Sequence, residues 1–312
     1  MANIKKNVIL SLIVAVAVIG LGYSLVKTVG RPSKAVHSGK LQVVASFYPL
    51  YFFSRQIGGD KADVANIVPS GAEPHDYEPT AQDMARIERS RLIVLNGGGL
   101  EAWGGNIRKN IDADKAIVVA AGEGLTTQRA TEKGQMETDP HVWLAPRLAQ
   151  KMVERIAEAF GQADPANRDY YRTNANSLKI KLSNIDMEYR QGLSNCKGKI
   201  IITSHAAFGY LAADYGLNQT PIAGLSPDAE PSPRQLADIA KFAGDNKVKY
   251  IFFESLVSPK LSQTIATEVG AQTLVLNPIE GLSDEELSEG KNYLSIMHEN
   301  LINLQKALQC TN

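Results

Sequence analysis

Residues 164–192 read DPANRDYYRTNANSLKIKLSNIDMEYRQG. Asp164 can cap a helix, and Pro165 can occupy its first turn, where a missing N–H is tolerated. Apolar side chains then recur at Tyr171, Ala175, Leu178, Leu182, Ile185 and Tyr189. That is the spacing of one buried helical stripe, and neither Pro nor Gly interrupts it before Gly192. About 28 residues rising about 1.5 Å each give a rod of roughly 40 Å. This exceeds what a crossover between neighbouring strands of one sheet needs, so the stretch predicts a backbone helix that spans two domains.

The flanks agree. Before the helix, residues 41–47, 62–69, 91–97 and 116–121 are short runs rich in Val and Ile that read as strands, with helices at 51–57 and 80–90 between them. After it, 199–204, 220–224, 248–254 and 273–277 read as strands, with helices at 208–215, 233–245 and 259–269. Ser232, Pro233 and Gln235 form a cap, first-turn proline and capping-box partner. Ser258 and Pro259 repeat the first two of these signals. A last helix is expected from Ser283, with Glu286 as capping-box partner, to Gln309. Strands alternating with helices imply parallel sheets. The fold class is α/β: two domains with mainly parallel sheets, 41–163 and 195–312, joined by a long rigid helix within 164–194.

The chain has 312 residues and balances 33 Lys plus Arg against 33 Asp plus Glu. No basic excess points to nucleic acid. Lys5 and Lys6 precede an apolar run over 8–26, which reads either as a secretory signal peptide or as an uncleaved membrane anchor. A polar tether with Gly30, Pro32, Ser33 and Ser38 follows, so residues 1–40 are set apart from the domains. No Cys in this region offers a lipid attachment point. Either reading places the remainder outside the cytoplasm, in the periplasm or on the outer face of the cytoplasmic membrane. In an exported chain, the two cysteines, Cys196 and Cys310, favour a disulfide over free thiols.

Five histidines are present; two of them, His75 and His205, sit where parallel α/β domains collect ligands, and His141 lies in a loop able to face the same cleft. His75 lies in Gly71-Ala72-Glu73-Pro74-His75-Asp76-Tyr77-Glu78-Pro79, after a strand. His141 lies in Asp139-Pro140-His141-Val142-Trp143-Leu144, before a helix. His205 lies in Thr203-Ser204-His205-Ala206-Ala207-Phe208, at the end of another strand. Leu276-Asn277-Pro278-Ile279-Glu280 leaves the last strand and places Glu280 in a loop. Two ligands from each domain, three imidazoles and one carboxylate, suit a four-coordinate zinc ion at the domain interface. Asp76, Glu78, Asp139, Glu230 and Glu254 are candidates to orient the imidazoles from behind. His37, in the tether, and His298, in the last helix, read as solvated.

On these motifs, together with Gly224-Leu225-Ser226-Pro227-Asp228-Ala229-Glu230-Pro231-Ser232, the chain resembles the metal-binding components of zinc and manganese ABC importers, the ZnuA/TroA-like group. The resemblance covers about residues 41–308. It implies two α/β domains on a backbone helix, metal ligands at His75, His141, His205 and Glu280, and delivery of one Zn2+ per chain to a membrane permease by a monomeric solute-binding protein. Two departures matter. Many zinc members carry a His-rich loop between the first two ligands, whereas residues 122–138 here are short and hold no His. Manganese members usually have a carboxylate at the position of His205, so the imidazole favours zinc. The competing readings are a manganese or mixed-metal binder of the same group and, in a different class, a zinc-dependent hydrolase with Glu280 as base. No H-E-x-x-H supports the latter, so the chain is expected not to be an enzyme.

Overall fold

The computed structural model describes residues 39–132 and 135–311. The expected signal or anchor and most of the tether lie outside these residues. Among the described residues, no helix is long and apolar enough to cross a membrane.

The first half opens with β1 (Leu41–Ala45), α1 (Tyr48–Gly58), β2 (Ala62–Asn66), α2 (Ala81–Arg89), β3 (Leu92–Leu95), α3 (Gly104–Asn110) and β4 (Ile117–Ala120). Its four strands pair in parallel in the order β2-β1-β3-β4. Alternation along the strands sends Val43, Ala45, Leu92 and Val94 to one face and Val44, Ile93 and Leu95 to the other. Ile87 of α2 and Ile107 of α3 cover the second face. A hairpin of β5 (Arg129–Glu132) and β6 (Gln135–Thr138) follows, then α4 (Pro146–Ala163).

The long helix is α5 (Arg168–Gly192), 25 residues preceded by a short 3-10 turn at Pro165–Asn167. At about 1.5 Å per residue it is about 37 Å long. Asp164 does not cap it. Its carboxylate instead accepts hydrogen bonds from Asn167 Nδ2 at 2.6 Å and Tyr171 Oη at 2.7 Å. All six apolar positions that define the stripe are buried. The N-terminal turns hold the first half, with Asn174 Nδ2 donating to the Ile57 carbonyl at 3.0 Å. The C-terminal turns hold the second half, with Tyr189 Oη donating to the Met297 carbonyl at 2.7 Å.

The second half contains β7 (Ile200–Thr203), α6 (Gly209–Tyr215), β8 (Asn218–Pro221), α7 (Pro233–Asp245), β9 (Tyr250–Phe253), α8 (Lys260–Val269), β10 (Gln272–Val275), α9 (Asp284–Ser288) and α10 (Tyr293–Leu308). The sheet order is β10-β9-β7-β8, again parallel. Numbered within each half, both sheets therefore have the order 2-1-3-4. One apolar cluster joins their inner faces, running from Val43 and Phe53 through Leu178 and Leu182 to Phe252 and Leu301. From Leu41 onward the chain forms one compact unit.

The expected elements are found, with corrections. The capping boxes at Ser232/Gln235 and Ser283/Glu286 are formed. Ser258 does not cap α8, whose N-cap is Pro259. The strand expected at 220–224 is displaced to Asn218–Pro221, and Ile222 and Ala223 carry its bonding on to Thr203 and Ser204. The single last helix is broken in two. Gly290 takes φ 74°, and Asn292 caps a new helix by accepting from Leu294 N and Ser295 N. The segment 122–138 contains the β5–β6 hairpin rather than only loop.

Cys196 and Cys310 are disulfide-bonded across 114 residues, between Gly198 N→Leu308 O and Thr311 N→Asn195 O contacts of 3.0 Å. Closing so long a loop in the unfolded chain is worth about 4–5 kcal/mol in the chain-entropy model. Replacing both cysteines by Ser is expected to lower unfolding stability by several kcal/mol, of that order or somewhat less. Denaturant titration of the two proteins by circular dichroism checks this; an unchanged midpoint at unchanged slope sinks it.

Candidate metal centre

Three of the four ligand candidates lie in loops that follow strands of the two parallel sheets, and the fourth, His141, lies beyond the hairpin. His75 follows β2, His141 follows β4 and the hairpin, His205 follows β7, and Glu280 follows β10. Their ligand atoms lie within 4.8 Å of one another. Five of the six separations are shorter. His75 Nε2 is 3.2 Å from His141 Nε2 and 3.3 Å from Glu280 Oε1. His141 Nε2 is 3.1 Å from Glu280 Oε1. His205 Nε2 is 3.3 Å from His141 Nε2 and 3.2 Å from Glu280 Oε1. A tetrahedron with zinc–ligand bonds of about 2.0–2.1 Å has edges of about 3.3–3.4 Å. The cluster therefore has the size of a zinc coordination sphere.

The far ring nitrogens decide what the near ones can do. His141 Nδ1 is 2.8 Å from Asp139 Oδ1, and His205 Nδ1 is 2.6 Å from Glu254 Oε1. A carboxylate only accepts, so each Nδ1 carries the proton and each Nε2 is free to offer its lone pair. Lone pairs facing one another and Glu280 at van der Waals distance repel unless a cation or protons sit among them. Burial opposes charge on both rings, but Asp139 and Glu280 outweigh it and raise His141, and Glu254 and Glu280 raise His205 well above its ordinary value. Burial also opposes charge on Glu280. There the charge on His205 and the hydrogen bonds of all three imidazoles prevail and hold the carboxyl well below its usual range. His75 differs: its desolvation dominates and lowers it. His141, His205 and Glu280 are buried, and His75 sits at the rim with 10% of its side chain exposed.

The loops are tied to each other across the two halves. Gly71 N, in the His75 loop, donates to the Leu282 carbonyl at 3.1 Å, beyond Glu280. Trp143, fully buried and 5.1 Å from the His141 ring, donates Nε1–H to the Pro278 carbonyl at 2.8 Å. Asn96 Nδ2 donates to the Pro140 carbonyl at 3.0 Å and steadies the His141 loop.

Of the five carboxylates singled out in the sequence, Asp139 and Glu254 back imidazoles. Asp76, Glu78 and Glu230 do not: each is exposed, and none hydrogen-bonds an imidazole. Asp76 faces outward and shares a hydrogen bond with Asp228, which with burial raises Asp228. Glu73 was missed, although it stands in the quoted His75 motif. Its Oε1 accepts from His75 N at 3.2 Å, and burial together with the Glu280 charge pushes its carboxyl up to about 9. His298 is exposed beside Glu188. His37 lies outside the described residues.

Residues 43–307 match the family model described as zinc-uptake complex component A, periplasmic. The high-affinity zinc uptake system protein ZnuA of Bacillus subtilis (strain 168) is 43% identical over 280 residues, 86% of this chain and 88% of that protein. The zinc-binding lipoprotein AdcA of Streptococcus pneumoniae is 40% identical over 88% of this chain, which spans only 56% of AdcA. The crystal structure of the Zn(II)-bound ZnuA-like domain of that protein superposes with TM-score 0.76 at 40% identity, covering 86% of this chain and 99% of the domain.

The charge on the buried rings generates a pH-dependent outcome. A group whose folded pKa is raised, as for His205, stabilises the fold fully below its unfolded value near 6.5 and loses that contribution as pH rises through the folded value. Glu254→Gln is therefore expected to destabilise the metal-free protein by about 3–5 kcal/mol at about pH 6 and by less at alkaline pH. Thermal unfolding in chelator across that range measures it, and equal losses at both ends contradict the assignment.

Proposed function

Since the chain belongs to the zinc-uptake complex component A family, the ZnuA family, we propose that it is the extracytoplasmic solute-binding component of an ABC importer, capturing one Zn2+ as cargo with His75, His141, His205 and Glu280 and passing it to a membrane permease. The observation that carries the reading is the convergence of three imidazole Nε2 atoms on one carboxylate oxygen at 3.1–3.3 Å. The chemistry of capture follows from the residues. Asp139 and Glu254 orient two rings and strengthen them as donors, and they leave the Nε2 lone pairs for the ion. Glu280 supplies one negative charge to a buried site, which offsets part of the ion's desolvation. Protons held by His141 and His205 leave as the ion enters, so affinity rises with pH.

A hydrolase leaves one zinc position open for water. Here Glu280 Oε1 faces all three imidazoles and fills the fourth position, which supports binding over catalysis. The imidazole at His205 supports zinc over manganese, because harder oxygen donors suit manganese. The long helix α5, tied to both halves, supports a capture step in which the loops around His75, His141 and His205 tighten while the halves keep their relation. The division into domains at 41–163 and 195–312, a monomeric state and export through the N-terminal segment belong to the same reading.

Titration against a competing chelator is expected to show one tight zinc site per chain. His205→Ala is expected to weaken zinc by more than the ~10–100-fold typical of outer-shell losses, with no gain in manganese relative to zinc. His205→Glu is expected to weaken zinc and narrow the zinc-over-manganese ratio, since a bidentate carboxylate raises the coordination number. Wild-type zinc affinity and selectivity in His205→Glu, or two equal tight sites in the wild type, overturns the reading.

A further inference from the structure

The residue that precedes Glu280 is held in a conformation it disfavours. Ile279 has φ 59°, in the left-handed region, and is fully buried. A β-branched side chain there crowds the backbone, so the conformation persists only where surrounding contacts impose it. Strain beside a ligand that does not itself require it points to a device that sets the ligand's position.

The contacts that impose the turn are specific. Asn277 Oδ1 accepts from Ile279 N at 2.7 Å and closes the turn from within. Asn277 is itself gripped by Asn300, which is buried on α10 and 20 residues beyond Glu280. Asn300 Oδ1 accepts from Asn277 N at 2.8 Å, and Asn300 Nδ2 donates to the Asn277 carbonyl at 2.7 Å. One amide side chain thus satisfies both backbone groups of one residue, as a neighbouring strand would. It does so just past β10, on the residue from which the turn starts. Asn277 Nδ2 donates to Ser255 Oγ at 2.9 Å and Glu286 Oε1 at 3.0 Å, so both its donors are used and the side chain is held at each end of its amide.

We propose that Asn300 is the positioning residue that sets zinc over manganese: through Asn277 it locks the strained turn at Ile279 so that Glu280 presents a single oxygen to the three imidazoles. This rests on the zinc-binding reading above. Both side-chain hydrogen bonds of Asn300 go to the Asn277 backbone, not to the imidazoles or Glu280. Its action is geometric. With the turn locked, Oε1 stands 3.1–3.3 Å from each Nε2, a one-oxygen, four-donor arrangement that fits zinc. With the turn released, Ile279 relaxes to negative φ and the carboxylate is free to withdraw or to swing both oxygens toward the ion. The second arrangement raises the coordination number, which manganese accepts more readily than zinc.

The test compares wild type, Asn300→Ala and Asn300→Asp in the full chain, using zinc, manganese and cobalt(II) ions as probes. Asn300→Ala is expected to keep one site per chain, to lose zinc affinity by about tenfold or more, and to lose manganese affinity by less than about threefold. Its cobalt(II) absorption is expected to weaken, as four-coordinate cobalt gives way to a higher coordination number. Asn300→Asp keeps the shape and the acceptor for Asn277 N but sets a carboxylate against the Asn277 carbonyl. It is expected to fall between the two, and it decides the matter if Asn300→Ala does not fold. Wild-type zinc affinity and cobalt bands in the folded variants overturn the proposal. So do equal losses for zinc and manganese with an unchanged cobalt spectrum, because they mean that Asn300 supports only the fold. A wild type that binds no zinc defeats the functional reading and this inference with it; a zinc-binding wild type beside unchanged variants defeats this inference alone.

Discussion

Three imidazole nitrogens, each held 3.1–3.3 Å from one carboxylate oxygen, repel it and one another unless something positive sits among them. The contacts around the site work against that repulsion. The four loops come from two sheets, so the force that keeps them together must cross between the sheets. It is supplied by Gly71 bonding Leu282, by Trp143 bonding Pro278, and by the apolar cluster that runs without a break along α5. The helix α10 adds a fourth tie. Tyr293 Oη at its start donates to the Trp143 carbonyl, Asn300 in its middle grips Asn277, and the disulfide closes just beyond its end.

The two sheets solve the placement problem in the same way. Each has the strand order 2-1-3-4, and each gathers its site residues at the carboxyl ends of its strands. The central strands β1, β3, β7 and β9 are mostly buried and apolar, so polar site residues stand in the loops beyond them. A carboxylate stands behind one imidazole in each half, Asp139 behind His141 and Glu254 behind His205. His75, at the rim, has its backbone N–H held by Glu73 instead. The site is thus most firmly oriented at its floor and least so at its mouth.

The sequence carried the parts whose signals are local. Apolar periodicity located the long helix and most strands, because each pattern is imposed by burial of one face. Ser232 and Ser283 marked helix starts, because a capping box spans only four residues. His75, His205 and Glu280 were legible from their places after strands and from motif resemblance, and His141 from its motif. The tertiary structure decided what depends on contacts between distant residues. It brought Asp139 and Glu254 onto imidazoles and turned Asp76, Glu78 and Glu230 to solvent, a choice that loop direction makes and composition does not. It broke the last helix at Gly290 and Asn292, paired 129–132 with 135–138 as antiparallel strands, and placed Asn300 against Asn277. An isolated Asn in a helical stripe looks like any polar surface position; only the approach of β10 shows that its amide is buried and bonded. Local pattern therefore determined which elements form and which residues could bind an ion, whereas the geometry of the site waited on long-range packing, because hydrogen-bond direction exists only once both partners are in place.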